Sequence, residues 1–388
     1  MNPVQHIQAW LADFTAVRRD LHMHPELGFD EHRTAKVVCE RLAALGIEFH
    51  AGIGRTGVVA VVPGRSTASG RSVGLRADMD ALPMQEENSF AHKSRYDGRM
   101  HGCGHDGHTT MLLAAARYLH ETRNFNGTAY LIFQPGEEGY AGARAMIEDG
   151  LFERFPAERV FALHNWPGLA PGRIGITPGP AMAAADRIEI TIDGRGGHGA
   201  HPHAAVDPVL VAGHLITAVQ SIVSRNVDPM KTAVVSVCMF NAGTAFNVIP
   251  ATASLGGTAR TFDPAVRDLV ERRIAEIADG IARAYGGTAQ TKYTRMYPAT
   301  VNHAHETEIA TAAARDVVGA DRVNDRTTPI MGGEDFSFML LERPGAFILL
   351  GMGDGHECHH PAYTFNDAIL GPGASYWVRL IETTMPAQ

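Results

Sequence analysis

Residues 187–192, Arg-Ile-Glu-Ile-Thr-Ile, read as a β-strand and mark the place where the sequence changes style. From Asp186 onward a strand at 187–192 is followed by a helix at 207–224 and strands at 232–240 and 248–260. A helix at 264–285 and a strand at 288–293 complete the segment. That βαββαβ order is a compact two-layer unit of ferredoxin-like type. The sequence before it has another rhythm. Short apolar runs at 58–62, 73–77, 129–133 and 160–163, bounded by Gly, Pro or Asp, fit buried strands. Between or beside them, 34–45, 109–119 and 143–147 read as helices, with Thr34 near the first N-cap and Gly46 at its stop. A leading helix over 4–22 carries Ile7, Trp10, Leu11, Phe14, Val17 and Leu21 at helical spacing. Past the βαββαβ segment come helices at 306–318 and 336–341, a strand at 347–350 and a closing helix. The expected fold is α/β: a discontinuous domain with a largely parallel sheet, 1–184 and 298–388, into which a small domain, 185–297, is inserted.

The chain has 388 residues, 45% hydrophobic and 20% charged, enough for two buried cores. A formal net charge of −8 and the lack of a Lys/Arg cluster argue against nucleic-acid or anionic-membrane partners. The start, MNPVQHIQAWLADF, has no basic segment leading into an apolar run, so no signal peptide is expected. No stretch approaches ~20 uninterrupted apolar residues, which excludes a spanning helix. Cys39, Cys103, Cys238 and Cys358 are scattered, unlike a disulfide framework, and a reducing cytoplasm is the simpler expectation. The chain has 20 histidines, a number that invites a search for clustered metal ligands.

The densest cluster is His101-Gly102-Cys103-Gly104-His105-Asp106-Gly107-His108. Imidazole and thiolate separated by glycine can fold tightly round a first-row transition metal. The alternatives are a glycine-rich turn with incidental histidines, or Cys103 as a nucleophile with His105 as its base. Glu137-Glu138 follows the 129–133 strand and a Gln-Pro-Gly turn. Such a pair can be a solvated loop, but ligands in parallel α/β sheets gather at the carboxyl ends of strands. Asp78 and Asp80 follow the 73–77 strand, His164 follows Leu163, and His356, His359 and His360 follow the 347–350 strand. One carboxylate of a pair can bind metal while its neighbour moves protons, as metal-assisted hydrolysis requires. The stretch Gly194-Arg195-Gly196-Gly197-His198-Gly199-Ala200-His201-Pro202-His203 is open to three readings: a second metal loop, a wide turn, or a mount for His198 as an electrophile toward a carbonyl. A nucleotide-dependent oxidoreductase would need G-x-G-x-x-G after the first strand, and residues 62–67 lack it.

The ordered runs RRDLHMHPELGFDE, RADMDALP, HGCGHDGH, FQPGEEG, LHNWP, GRGGHGAHPH, FNVIP, GTAR, MGGEDFSF and HHPAYTFND span nearly the whole chain. In them the sequence resembles the hippurate hydrolase and auxin-conjugate amidohydrolase branch of the aminoacylase and carboxypeptidase G-like metallopeptidases. The resemblance implies hydrolysis of the amide bond of N-acyl amino acids, with a dipeptidase or carboxypeptidase as the alternative on the same site. It implies two divalent ions (manganese, zinc, cobalt or nickel) held by Cys103, His105, Glu138, His164 and His359, the last standing two positions before Pro361. Glu137 would be the general base, His198 would polarise the scissile carbonyl, and Asn247 and Arg260 would contact substrate. The inserted domain would pair two copies of the chain, with His198 reaching the partner's site. At Asp78 the sequence departs from the wider clan, where a ligating histidine is common.

Overall fold

The computed structural model describes residues 3–387. They divide into two compact units, one of Met1–Ala181, Val301–Thr328 and Asp335–Gln388, the other of Met182–Thr300 and Pro329–Glu334. The bounds expected from the sequence, 1–184 with 298–388 and 185–297, place Pro329–Glu334 in the larger domain. These residues join the smaller unit because Ala183 donates its N–H to the carbonyls of Ile330 and Gly332, both at 3.0 Å.

The larger unit is built on an 8-stranded sheet in the order Glu48–Ile53, Gly57–Pro63, Thr128–Gln134, Ser72–Asp78, Arg159–Pro167, Gly345–Gly353, Ile174–Gly175, Val323–Asn324. Its four central strands, from Thr128–Gln134 to Gly345–Gly353, run parallel. The hairpin Glu48–Ile53/Gly57–Pro63 adds to them antiparallel, as does Ile174–Gly175 on the other side. Ser72–Asp78 and Gly345–Gly353 are buried at every residue, the condition under which a strand reads as one apolar run rather than an alternation. Helices His105–Thr122 and Leu370–Thr384 bury most of their side chains in the same core, among them Tyr118, Tyr376 and Trp377. The expected single helix over 4–22 is two, Pro3–Gln8 and Leu11–Met23. The i→i−3 bonds Ala9 N–H to His6 O (3.2 Å) and Trp10 N–H to Ile7 O (2.9 Å) tighten and end the first.

The smaller unit follows the βαββαβ order: strand Ala184–Asp193, helix Pro208–Ala218, strands Ala233–Ala242 and Thr252–Thr261, helix Pro264–Ala284 and strand Thr288–Tyr297. Its 4-stranded sheet is antiparallel throughout, in the order Ala233–Ala242, Thr252–Thr261, Ala184–Asp193, Thr288–Tyr297. Ile188, Ile190 and Ile192 point inward from one strand, and Val266, Val270, Ile274, Ala278 and Ala282 repeat every fourth residue on the long helix. Period two against period four is what lets a strand and a helix share one apolar layer. Asp207 and Asp263 start the two helices by accepting backbone N–H groups, Val209 at 2.9 Å and Ala265 at 2.7 Å. The expected strand 248–260 is broken into Val248–Ile249 and Thr252–Thr261, since Pro250 has no N–H to give to a ladder. The helix expected to reach Ser224 ends at Ala218, and the chain continues as a π turn, Ile222–Asn226.

Candidate metal centre

The 101–108 loop is buried at every position, and its last residues begin the helix His105–Thr122. Gly104 sits at φ 92°, a left-handed backbone that disfavours any side chain, and a Cβ there would lie 2.0 Å from Asn165 Oδ1. Asp106 anchors the first turn: its Oδ2 lies 2.8 Å from His22 Nδ1 and accepts Arg18 Nη1 at 3.2 Å. With the backbone so fixed, Cys103 and His105 face the same space.

Two imidazoles enter it with their orientations set from behind. His105 Nδ1 lies 2.9 Å from the Asp80 carbonyl and His164 Nδ1 lies 2.7 Å from the Asn165 carbonyl. With each Nδ1 turned to a carbonyl, each Nε2 is the nitrogen directed inward, the arrangement usual for ligating histidines. His164 Nε2 is 3.3 Å from Cys103 Sγ. Burial, then the charge of His108, holds His164 well below the usual imidazole range, so it is a neutral donor. Around His105, burial lowers the pKa, but the charge of Asp78, the hydrogen bond with Asp80 and the charge of Glu138 raise it to about 10. This spot favours positive charge. The Cys103 thiol is pushed up by its hydrogen bond with Cys358, by burial and by Glu138 and Glu137, which argues against a free nucleophilic thiolate.

Glu137 and Glu138 stand on a loop held by two buried carboxylates from elsewhere in the chain. Glu31 Oε1 accepts the Gly136 N–H at 2.7 Å, and Asp80 accepts those of Glu137 (3.0 Å) and Glu138 (2.9 Å). Three consecutive amides are thereby fixed, and the solvated-loop reading of the acidic pair fails. The Asp335 N–H donates to Glu137 Oε1 at 3.3 Å, and Asp335 is itself tied to Arg76 (2.9 Å), which also donates to Asp78 (2.7 Å). His359, at φ 68°, has its N–H on the Gly102 carbonyl at 2.8 Å and its Nε2 3.2 Å from Glu138 Oε1.

The donors fall into overlapping groups: Cys103, His105 and His164; Cys103, Glu138 and His359; His105, Glu137 and Glu138. Within each group the ligand atoms lie within 4.8 Å of one another. His105 Nε2 is buried with no hydrogen-bond partner, a costly arrangement that coordination of a cation would relieve. Soft sulfur, imidazole and carboxylate together suit first-row transition metals. On both grounds the residues fit divalent ions.

Of the residues singled out in the sequence, Cys103, His105, Glu137, Glu138, His164 and His359 come together in the larger unit. His164 lies inside its strand, which runs on to Pro167, rather than past the end. His356 and His360 stack on each other with ring centroids 4.0 Å apart and join none of these groups. His198, Asn247 and Arg260 belong to the smaller unit. His198 pairs with Val248 across a short bridge, the Asn247 carbonyl accepts the Gly199 N–H at 2.8 Å, and Arg260 donates to Thr258 Oγ1 at 2.7 Å. Sequence reading gave no part to Glu31, Arg76 or Asp335, although the motifs FDE, RAD and GGED contain them. Nothing local shows that an aspartate reaches a glutamate 198 positions away.

A parallel-centred α/β unit with clustered His, Cys and Glu donors at its strand ends, carrying a βαββαβ unit within the chain, defines a class of metal-dependent hydrolases. Residues 74–383 match the Peptidase family M20/M25/M40, and the chain belongs to that family. It is 43% identical to the hippurate hydrolase of Campylobacter jejuni over 98% of both chains. It is 40% identical to an N-acetylcysteine deacetylase of Bacillus subtilis over 94% of both. The solved YXEP protein of Bacillus subtilis, a dinuclear metal-binding peptidase from the M20 family, superposes with a TM-score of 0.84 at 36% identity, covering 97% of this chain and 99% of that one. The resemblance to the hippurate hydrolase branch stands.

Proposed function

We propose that the protein hydrolyses the amide bond of N-acyl amino acids, releasing a carboxylic acid and a free amino acid. The observation that carries this reading is the pair of donor triads sharing Cys103, with Glu137 fixed beside them. Cys103, His105, Glu138, His164 and His359 would hold two divalent ions. When bound, such ions polarise a carbonyl and bring the pKa of water from about 15.7 to about 7. Glu137 takes the proton from the attacking water and returns it to the leaving nitrogen, the Asp335 N–H meeting its carboxylate and Asp80 holding its backbone amide. His198 stabilises the developing oxyanion, and Arg260 and Asn247 receive the substrate carboxylate. Substrates of this type are supported by the names of the two curated relatives, both enzymes of N-acylated amino acids.

The reading includes a homodimer formed through the smaller unit, whose outer strand Ala233–Ala242 exposes Met239 and Phe240. It also includes a cytoplasmic setting, in keeping with four free cysteines, and no nucleic-acid or membrane partner. No helix among the described residues is long and apolar enough to cross a membrane. The test is a panel of benzoyl-, acetyl- and indoleacetyl-amino acids and plain dipeptides. It is run after chelation and after adding back manganese, cobalt, nickel or zinc. Chelation is expected to abolish amino-acid release from the acylated substrates and metal to restore it. Cleavage of dipeptides alone would transfer the site to the peptidases.

A further inference from the structure

Cys358 is a thiol beside the candidate centre that belongs to none of its donor groups. It immediately precedes His359, whose N–H is bonded to the Gly102 carbonyl at 2.8 Å, so Cys358 and Cys103 are the chain neighbours of a hydrogen-bonded pair. The Cys358 Sγ lies 4.0 Å from the Cys103 carbonyl oxygen. A disulfide needs Cα atoms about 4.4–6.8 Å apart, and the backbone hydrogen bond between the adjoining His359 and Gly102 brings the two cysteines into one neighbourhood. Cys103 is buried, whereas Cys358 is half-buried and flanked by His359, whose side chain is 54% exposed, so a small oxidant can approach from the Cys358 side. Cys39, on the helix His32–Ala44, and Cys238, exposed on the smaller unit, have no comparable sulfur neighbour among the described residues.

We propose that Cys103 and Cys358 form a reversible disulfide in the presence of peroxide, and that this disulfide and metal occupancy exclude one another. The Cys358 sulfur attacks one oxygen of hydrogen peroxide, the O–O bond breaks, and a sulfenic acid and one water result. The Cys103 sulfur then attacks the Cys358 sulfur, the S–O bond breaks, and a second water leaves. Two S–H bonds are lost, one S–S bond forms, and peroxide takes the two electrons and both protons. A sulfur so bonded has no thiolate to offer a metal. Because Cys103 stands in both triads, the oxidised centre loses the shared ligand of both ions; this consequence rests on the ligand set proposed above.

The experiment treats zinc-loaded protein and chelator-stripped protein with hydrogen peroxide, zinc being chosen because it is not itself oxidised. Non-reducing peptide mass spectrometry reads the crosslink, and elemental analysis after desalting reads zinc. The stripped protein is expected to give Cys103- and Cys358-containing peptides joined and lighter by two hydrogens, to refuse zinc afterwards, and to accept it again after dithiothreitol. In the loaded protein, crosslinked fraction and lost zinc are expected to rise together. Cys358→Ser protein is expected to keep its zinc and its activity through the same exposure. Oxidation of the stripped protein without a crosslink would overturn the pairing, as would equal zinc loss from Cys358→Ser. A crosslinked protein that still holds its zinc would preserve the disulfide but overturn the exclusion and remove Cys103 from the ligand set.

Discussion

Two loops in this protein look alike as strings and differ as structures. The 101–108 loop and the 194–203 loop are both runs of glycine and histidine. In the first, every residue is buried, and ring nitrogens and sulfur meet polar groups from other segments of the chain at 2.6–3.3 Å. In the second, His198, His201 and His203 are exposed and keep local company: His198 Nδ1 accepts from the Ala200 N–H at 3.0 Å, and its ring centre is 5.2 Å from that of His201. Glycine gives both loops tight curvature. What separates them is their surroundings. The first leads into a helix beneath the ends of parallel strands, where Asp78, Asp80, Glu138 and His164 are delivered from distant parts of the chain. The second lies on a short bridge at the edge of an antiparallel unit. A histidine-rich loop becomes a metal centre only when other elements complete it.

The largest effect expected is at the carboxylate the first loop faces. Glu137→Gln keeps the side chain's shape but cannot take a proton, so turnover should fall ~10²–10⁴-fold with metal content unchanged by elemental analysis. Retained activity would place the base elsewhere.

The second loop is tested by His198→Ala, for which we expect a ~10²–10³-fold loss in kcat, the scale of removing one oxyanion donor, again without metal loss. His201→Ala should stay within a few-fold of the parent. If both substitutions are equally mild, the exposed loop has no part in the chemistry. Mixing inactive Glu137→Gln with inactive His198→Ala subunits should restore activity if His198 acts across a dimer.

Cys103→Ser is expected to lower metal retention and change which metal supports activity, because a hydroxyl is a harder and poorer ligand than thiolate. A variant of unchanged occupancy and preference would make the buried loop a structural turn like its exposed counterpart.

The smallest effect expected concerns the support beneath the buried loop. Burial, then the charge of Asp80, pushes the Glu31 carboxyl from 4.5 up to about 7. Between those values the folded state binds a proton that the unfolded chain has released. The associated stability is complete below the unfolded pKa and is lost as pH rises through about 7. Wild-type Tm should therefore fall relative to Glu31→Gln between pH 5 and pH 8, by roughly a few degrees. Parallel Tm curves for the two proteins would return Glu31 to an ordinary carboxylate.

Most of the secondary structure was legible because burial leaves a period in the sequence. Ser72–Asp78, Thr128–Gln134 and Gly345–Gly353 are apolar runs since both their faces are covered, and the strand Ala184–Asp193 alternates since one face is. Ends were harder to read. Where the first helix stops at Gln8 and where Pro250 splits a strand depend on which backbone groups find partners, and single-residue patterns do not carry that.

The sequence by itself determined which candidate donors stand close in chain order, Cys103 with His105 and Glu137 with Glu138, while joining His164 and His359 to them was what the resemblance implied. Short-range chemistry such as a cysteine two positions from a histidine, or adjacent glutamates after a Pro-Gly turn, is written in the chain order. Only the tertiary structure decided how those donors are aimed. Glu31 and Asp80 hold three successive amides under the acidic pair, Asp335 reaches Glu137 from 198 positions away, and Cys358 arrives beside Cys103 from 255 positions away. Hydrogen bonds depend on ångströms and angles, and contacts across such separations are set by how the sheet orders its strands, which no local pattern encodes.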